Sequence, residues 1–273
     1  MRKDYILIPN EQAGVDESAF VEDFWTQRWE NVAQLPQAES VASREEYKIM
    51  QPFLQKLPVG SSILDGGCGM GAWTVFLTNQ GFKVTGLDIS DRTITRLKQF
   101  LPNYQFIHGD IRQTNFEDAT FDAYFSWGTF EHFENGLEDC IKEAYRILKP
   151  GGFLFVSVPF QNWRHILRDA KALHKWDQGY DTQQGFAAPL RFYQWRLTVP
   201  EFEQELAMRG FRVLKVQPIG RYEGLSRALV HDLHLKPESL SDRIAKRLLH
   251  NLIPTRWIGH MLIAIAQKTD NTL

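Results

Sequence analysis

The stretch ILDGGCGMGAW, residues 63–73, decides the fold that we expect for this chain. It places four glycines within six positions, directly after an apolar run that ends at Asp65. A glycine-dense turn between a strand and a helix lets main-chain N–H groups approach a ligand closely, at an entropic cost that an ordinary loop has no reason to carry. A plain tight turn is the alternative. Because the flanking residues also fit a nucleotide-type site, we expect a ligand here.

The composition of the chain bounds its class. Its 273 residues suit one elaborated α/β core, and 31 basic against 33 acidic residues give a net charge of -2, which excludes a global attraction to nucleic acid or anionic membrane. Cys68 and Cys140 have no metal-ligand spacing and suit a reducing compartment. The apolar run of residues 5–8 is too short for a signal peptide or a membrane span. We therefore expect a soluble, cytoplasmic protein without a metal.

Strand and helix signals alternate along most of the chain. Helical stretches at residues 72–79, 91–100 and 137–148 separate short β-branched or aromatic runs, and LKPGG (residues 148–152) ends the third of these helices. This alternation predicts a parallel sheet with helices on both faces. The predicted strands are SSILD (61–65), FKVTGLD (82–88), YQFIHGD (104–110), FDAYFSW (121–127), GGFLFVSVP (151–159), GFRVLKV (210–216) and HMLIAIAQ (260–267).

Three regions lie outside this alternation. Residues 1–57 predict a helical cap over the ligand cleft, and residues 58–273 form the core with two insertions that we expect to act as an acceptor lid. The first insertion, residues 160–196, is rich in aromatic side chains, most of which we expect to cover a sheet edge or form a dimer contact rather than bind an acceptor. They are Trp163, Trp176, Tyr180, Phe186, Phe192, Tyr193 and Trp195.

The second insertion, residues 221–258, carries the basic helical run SDRIAKRLLHNLI. Ile244, Leu248 and Leu252 lie on one side of this predicted helix. The nearby basic residues could rest on an anionic membrane or hold an acidic acceptor, but a solvated amphipathic helix is the expected alternative. These basic residues are Arg243, Lys246, Arg247 and Arg256.

Chemistry-bearing residues follow three predicted strands at their carboxyl ends, where ligands bind to open parallel sheets. Asp88 follows the glycine loop by about twenty residues, the distance at which a carboxylate can accept both ribose hydroxyls. Asp110 could accept from an exocyclic amine, and Ile89 and Ile111 offer apolar surface to a base. The pattern favours adenosine as the ligand. Gly67, with Gly69 and Ala72, also satisfies the dinucleotide fingerprint, so an NAD(P)-dependent oxidoreductase is an alternative.

Several motifs together resemble those of class I S-adenosylmethionine-dependent methyltransferases. They are ILDGGCGMG, LDIS, GDI, FDAYFSWGTFEHF and AYRILKPGGFLFVSVP, within residues 61–159, and LTVPEFEQELAMRGFRVLKV resembles the later helix and strand of the family. The resemblance is nearest to the small-molecule, type 11-like subgroup. It implies a Rossmann-like, doubly wound sheet of seven strands, mostly parallel with the last strand antiparallel, which binds S-adenosylmethionine and releases S-adenosylhomocysteine.

The resemblance also implies roles for individual residues. Gly67 and Gly69 would lie against the methionine part of the cofactor, Gly71 would belong to the same cofactor-binding loop, and Asp65 would bind the cofactor indirectly by organising the loop amides. Asp88 would hold the ribose diol, Asp110 and Ile111 would meet adenine beside Ile89, and Trp127 would line the wall beside the reactive methyl. Arg44 is similar to an arginine that some relatives use for the cofactor carboxylate, but a solvated arginine beside Glu45 and Glu46 is equally expected.

The residues after the fourth predicted core strand bear on catalysis. His132 is the candidate base for a hydroxyl acceptor, and the alternative is that Glu131 and His132 only fix this loop. The acceptor is expected to be a small or medium-sized molecule with an oxygen, nitrogen or carbon nucleophile. A nucleic acid is disfavoured because SWGT replaces an N/D-P-P-Y/F tetrapeptide. A cofactor-binding regulatory subunit without catalysis is a further alternative, and the sequence predicts no oligomeric state.

Overall fold

The computed structural model describes residues 1–12, 14–32, 38–169, 190–237 and 239–269. The strands are β1 (Arg2–Leu7), β2 (Ser62–Gly66), β3 (Lys83–Asp88), β4 (Gln105–His108), β5 (Phe121–Trp127), β6 (Leu148–Pro159), β7 (Leu190–Arg196), β8 (Phe211–Ile219) and β9 (Met261–Lys268). The helices are α1 (Glu17–Glu30), α2 (Glu45–Leu54), α3 (Ala72–Asn79), α4 (Asp91–Phe100), α5 (Glu138–Ile147), α6 (which includes residues 163–169), α7 (Val199–Ala207), α8 (Arg221–His231), α9 (Leu240–Leu249) and α10 (Thr255–Ile258). Within these described ranges, no helix combines the length and apolar character needed to cross a membrane.

Seven strands form one sheet in the order β4-β3-β2-β5-β6-β9-β8. β9 runs antiparallel to both of its neighbours, and the other neighbouring pairs are parallel. Each run predicted as a strand lies in one of these seven strands. The prediction of a Rossmann-like, mostly parallel sheet with its last strand antiparallel is therefore confirmed.

Helices cover both faces of this sheet because successive side chains of the central strands point to opposite sides. On one face, Leu64 and Tyr124 pack in a core that includes Ile141 of α5. On the other face, Ile63 and Phe125 pack in a core with residues of α2 and α3. Burial on both faces removes much of the central strands' apolar surface from water, which is the main favourable contribution to folding.

The order of the strands positions a crevice. The chain places β3 and β4 on one side of β2 and then crosses to β5 on the other side. A crevice at the carboxyl ends of the strands follows from this reversal of winding, because the connections after β2 and β5 diverge there. The glycine loop follows β2 and leads into α3, so it lies at this edge.

The sequence analysis did not predict a second sheet formed by β1 and β7. The two strands pair antiparallel, from Arg2 opposite Arg196 to Leu7 opposite Leu190. The Arg196 guanidinium also binds the Asp4 carboxylate at 2.8 Å. The N-terminal region, expected to be helical, thus contributes a strand as well as α1 and α2. Pairing over about 190 residues leaves no local sequence signal.

The connection between β8 and β9 forms a small helical unit of α8, α9 and α10. Leu225 and Leu229 of α8 pack with Ile258 in a core separate from that of the sheet. The unit begins and ends at the carboxyl edge, because β8 ends and β9 begins there. The main-chain N–H of Gly220, which precedes α8, donates to the Glu45 carboxylate at 3.0 Å. The unit therefore touches α2 at the edge that carries the crevice.

Candidate active site

A cavity of about 330 Å³ lies at the carboxyl edge of the sheet. This volume is at the lower end of the range for small-molecule sites. The cavity contains the ends of β2, β3 and β5 and the inner face of α1. All predicted site residues except Gly71 line it: Arg44, Asp65, Gly67, Gly69, Asp88, Ile89, Asp110, Ile111, Trp127 and His132.

Two glycines of the loop make close approaches that a side chain would prevent. A Cβ on Gly67 would lie 2.3 Å from Thr129 Oγ1, and one on Gly69 would lie 2.8 Å from Cζ2 of Trp29. Both glycines have positive φ, at 77° and 49°, a region that other residues rarely adopt. The loop can therefore lie directly against its neighbours only as glycine.

The N–H groups of this loop are already used within the protein, which corrects the expectation that they bind the ligand. Gly67 and Cys68 donate to the Leu87 carbonyl at 2.8 and 2.9 Å. The N–H of Gly69 donates to Oδ2 of Asp88 at 2.8 Å. These bonds attach the loop to the end of β3. The glycines thus shape the cavity wall, and these three donors serve the loop itself.

Asp88 is the buried carboxylate at the end of β3. Its Oδ1 accepts from the main-chain N–H of Ser90 at 3.0 Å, while Oδ2 accepts from Gly69. Burial raises the pKa of Asp88, and the N–H groups of Ser90 and Gly69 lower it. Because a carboxylate has about four acceptor positions, Asp88 can hold the loop and still accept from a diol. The ribose contact stays a prediction.

Asp65 organises the start of α3 rather than the loop amides. Its Oδ2 accepts from the main-chain N–H of Thr74 at 3.1 Å and from the Thr74 hydroxyl at 2.7 Å. Burial raises the pKa of Asp65 to about 7, and the hydrogen bonds from Thr74 oppose this shift. Gly71 does not line the cavity. It packs against Phe106 instead, and a Cβ at this position would lie 2.7 Å from Cε1 of that ring.

A guanidinium that the sequence analysis did not single out holds Asp110. Arg112 donates through Nε to Oδ1 and Oδ2 of Asp110 at 3.1 and 3.0 Å, and through Nη2 to Oδ2 at 2.7 Å. The same guanidinium binds Glu17 and Ser18 at the start of α1, at 3.0 and 2.7 Å. Arg112 therefore connects α1 to the end of β4. Its position two residues after Asp110, in GDIR, was the available signal.

The inner face of α1 supplies Val21, Trp25 and Trp29 to the cavity. Trp25 and Trp29 stack with ring centroids 5.5 Å apart. The sequence analysis predicted a cap here without naming these residues, although their i, i+4, i+8 spacing marks one helix face. A buried hydrogen bond of 2.6 Å between the hydroxyls of Thr26 and Ser90 fixes this face over the end of β3.

Trp127 and Trp73 form the opposite aromatic wall, with ring centroids 5.1 Å apart. Trp73 packs in the core as expected for a helix residue, and it also lines the cavity. Trp127 Nε1 is buried and has no hydrogen-bond partner among the described residues. A buried donor without a partner costs free energy, so this N–H fits a polar atom of a ligand.

His132 is a buried, neutral histidine in the cavity wall. Its Nδ1 lies 2.7 Å from the Tyr193 carbonyl, and because a carbonyl only accepts, Nδ1 carries the proton and Nε2 has a lone pair. Burial lowers the pKa of His132 to about 4 despite this hydrogen bond. Nε2 lies 3.9 Å from Oε1 of Glu131, whose pKa burial raises to about 8. The pair is therefore uncharged near neutral pH.

Arg44 lies at the mouth of the cavity as the residue before α2. Its guanidinium carbon lies 5.8 Å from the centroid of the Trp73 ring, and Arg44 makes no ion pair within the described ranges. Glu45, a neighbour that could have neutralised it, accepts from Gly220 instead. An exposed cation beside the cavity can attract a ligand carboxylate.

The aromatic insertion is partly described. Phe192 is buried, Trp195 donates through Nε1 to the Phe133 carbonyl at 3.0 Å, and Tyr193 packs against His132 with ring centroids 5.2 Å apart. Trp163 is half exposed on α6. The predictions for Trp176, Tyr180 and Phe186 lie outside the described residues.

Comparisons with known proteins agree with this arrangement. A family model for a methyltransferase domain matches residues 63–152. The chain is 31% identical over 152 residues to the 2-methyl-6-phytyl-1,4-hydroquinone methyltransferase of Synechocystis sp., covering 50% of this chain and 47% of that protein. It is 34% identical over 124 residues to the demethylmenaquinone methyltransferase of Staphylococcus epidermidis, covering 42% and 51%. The chain thus spans about half the length of these relatives.

The fold also matches solved structures. The 1,6-didemethyltoxoflavin-N1-methyltransferase of Burkholderia thailandensis, with bound 1,6-didemethyltoxoflavin and S-adenosylhomocysteine, has a TM-score of 0.54 and 18% identity, over 98% of this chain and 96% of that one. The matched methyltransferase domain and the shared fold agree with the class I S-adenosylmethionine-dependent methyltransferases that the motifs resemble. The matched residues 63–152 include most of the motifs that resemble the small-molecule, type 11-like subgroup.

Proposed function

We propose that this protein transfers a methyl group from S-adenosylmethionine to a small or medium-sized acceptor. The observation that carries the proposal is the meeting of the glycine loop, Asp88 and the Asp110–Ile111 pair in one cavity at three strand ends. In this arrangement Asp88 accepts from the ribose hydroxyls, and adenine lies beside Asp110 between the apolar side chains of Ile89 and Ile111. Arg44 pairs with the carboxylate of the cofactor.

The cavity fits this cofactor at the methionine end as well. The N–H of Trp127, which has no partner among the described residues, can donate to a polar atom there. When bound, the cofactor supplies an electrophilic methyl group on a sulfonium. The faces of Trp25 and Trp127 attract a cation through their ring quadrupoles, and they exclude water from it.

His132 is the residue that we propose as the acceptor of a proton. Its Nε2 carries the lone pair, because the Tyr193 carbonyl fixes the proton on Nδ1. The low pKa of His132 keeps the ring neutral near neutral pH, so that it is ready to accept a proton. The same low pKa makes it a weak base. It therefore suits an acceptor group that becomes acidic, and loses its proton, as the bond to the methyl group forms. In the alternative role, Glu131 and His132 only hold the loop. The turnover of His132→Ala distinguishes the two roles.

The acceptor end of the cavity is aromatic. Trp25 and the neutral His132 line it with ring centroids 5.0 Å apart, and Arg44, Asp65, Asp88 and Asp110 lie with the cofactor. We infer that the acceptor is apolar. The two relatives described above are named for acceptors of this kind, a phytyl hydroquinone and a demethylmenaquinone. We also propose that residues 1–57 cap this cavity. The cysteines Cys68 and Cys140 are free thiols, which are typical of the reducing cytoplasm, and we propose the cytoplasm as the location.

Isothermal titration calorimetry with S-adenosylhomocysteine tests the proposal. Wild-type protein should bind this product with saturation and should not bind NAD(H). Asp88→Ala should weaken the affinity by about 1–3 kcal/mol because charge-assisted hydrogen bonds to the ribose are lost. Asp91→Ala, an exposed carboxylate on the adjacent turn, is the matched control and should bind as the wild type does. Affinity for NAD(H) alone would overturn the proposal, and unchanged affinity in Asp88→Ala would remove its ribose role.

A further inference from the structure

The helical unit of α8, α9 and α10 exposes a continuous apolar stripe. Leu240, Ile244, Leu248 and Leu252, which we name the outer stripe, follow one another at four-residue intervals along and just beyond α9. Their side chains are 74%, 50%, 63% and 74% exposed. Large apolar residues at helix-face spacing are usually buried, so this exposed stripe indicates an interaction surface.

The fold of the unit does not use this stripe. Its core is formed by the opposite side of the helices, where Leu225, Leu229 and Ile258 pack with Ala245 and Leu249. The outer stripe is thus an additional apolar surface. Two further exposed aromatic side chains belong to the same edge of the molecule, since Trp257 of α10 and Trp163 of α6 contact each other with ring centroids 6.0 Å apart.

The charges around the outer stripe are mostly basic. Residues 221–258 contain seven basic and four acidic residues, in a chain whose net charge is -2. Arg247 and Arg256 are exposed, as is Lys236. Two of these acidic residues contribute little to this surface, because Asp242 is fully buried against Lys246 at 2.8 Å and Asp232 is paired with Arg164, while Glu223 is exposed.

Lys246 behaves differently from the sequence expectation that grouped it with the exposed basic residues. It is buried, and its ammonium lies 5.2 Å from the centroid of the Tyr222 ring as well as against Asp242. The basic character of the surface therefore rests on the exposed arginines and Lys236.

We propose that the outer stripe and its basic neighbours dock this protein on an anionic membrane surface. Apolar side chains on one helix face enter the interface between headgroups and acyl chains, while arginine and lysine pair with anionic headgroups. A twofold dimer through the same face is disfavoured by charge, because it would bring Arg247 and Arg256 of two copies together. Docking would also place the carboxyl edge, with its cavity, beside the lipid, where an apolar acceptor is concentrated.

Co-sedimentation of the full chain with vesicles tests this proposal. Vesicles of phosphatidylcholine with about one-third phosphatidylglycerol should bind the wild type, and phosphatidylcholine alone should bind it at least tenfold more weakly. Leu248→Ser/Leu252→Ser should lower binding to the anionic vesicles at least tenfold. The matched control is Val59→Ser/Phe100→Ser, which removes two exposed side chains (90% and 60%) from the opposite edge and should change binding less than twofold.

A second pair of variants tests the electrostatic contribution. Arg247→Gln/Arg256→Gln should weaken binding to anionic vesicles severalfold and reduce its dependence on salt, while Lys83→Gln/Lys98→Gln, away from the unit, should not. Thermal unfolding should be the same for all variants, because every altered side chain is exposed. The cofactor is omitted throughout, so the result is independent of methyl transfer.

Three results would overturn the proposal: no binding of wild type to anionic vesicles, equal loss in the stripe variant and its control, or equal binding to neutral and anionic vesicles. Sedimentation velocity without lipid identifies the rival occupant. A wild-type dimer that Leu248→Ser/Leu252→Ser converts to monomer, without any vesicle binding, would assign the outer stripe to a second copy of the chain.

Discussion

The strand-end wall of the cavity is held by main-chain hydrogen bonds to buried acceptors, whereas the α1 wall is held by aromatic contacts and a few side-chain bonds. In the first wall, Gly67 and Gly69 are fixed to Leu87 and Asp88 of β3. In the second, Trp25 stacks on Trp29, and side-chain bonds join Thr26 to Ser90 at the start of α4 and Glu17 and Ser18 to Arg112. Main-chain bonds allow little adjustment, while aromatic contacts can shift. The first wall thus suits an invariant nucleoside and the second suits a choice of acceptor.

The largest effect is expected from Gly67→Ala, which disrupts the packing of the strand-end wall. The new Cβ would lie 2.3 Å from Thr129 Oγ1 at a residue with positive φ, so the loop must move. We expect the free energy of unfolding to fall by about 2–4 kcal/mol and affinity for S-adenosylhomocysteine to fall more than about a hundredfold. Denaturant unfolding and calorimetry measure both. Gly14→Ala, with nothing within 4 Å, is the control; equal behaviour of the two variants would contradict a rigid first wall.

The pH dependence of stability probes the segment after β5 through Glu131, whose neighbour His132 packs against Trp25 of the α1 wall. Burial raises its pKa to about 8 in the folded protein, so the folded state retains a proton that the unfolded state releases above about pH 4.5. Wild-type stability should therefore decrease relative to Glu131→Gln as the pH rises from 5 to 8, by about 3 kcal/mol at about 1.4 kcal/mol per pKa unit. Urea unfolding of both proteins across this range measures the difference. A constant difference would mean that this segment is solvated.

His132→Ala separates the two walls functionally. If its Nε2 accepts the acceptor's proton, turnover should fall about a hundredfold, or about 2.7 kcal/mol, because a positioned base is lost. Affinity for S-adenosylhomocysteine should stay unchanged, since that ligand is held by the other wall. His165→Ala, at a half-buried histidine of lowered pKa outside the cavity, is the matched control. Full activity of His132→Ala would leave this histidine as a structural residue of the loop.

The smallest effect is expected from Trp127→Phe. The substitution keeps an aromatic ring in the wall and removes a buried N–H that has no partner among the described residues. Affinity for S-adenosylhomocysteine should fall by about 1 kcal/mol, close to fivefold, if that N–H donates to the ligand. Trp73→Phe, whose ring lies beside it, should change the affinity less. An unchanged affinity in Trp127→Phe would show that the donor has no ligand partner.

The sequence predicts features that depend on local residue patterns, and it misses features that depend on contacts between distant segments. The seven core strands are confirmed because each is a short β-branched or aromatic run between turn residues, and the strand-end residues follow from the order of those runs. The N–H groups of the loop could not be assigned, since their partners, Leu87 and Asp88, are fixed only when β3 lies beside β2. Arg112 and the pairing of β1 with β7 were missed because both depend on contacts between distant segments.

A crystal structure of the protein with S-adenosylhomocysteine tests the central claim most directly. The account predicts the ribose hydroxyls within hydrogen-bond distance of the Asp88 carboxylate, adenine beside Asp110 and Ile111, and the sulfur facing Trp25 and His132. Density for the ligand elsewhere, or a cavity that remains closed by Trp29 against the glycine loop at saturating ligand, would contradict it.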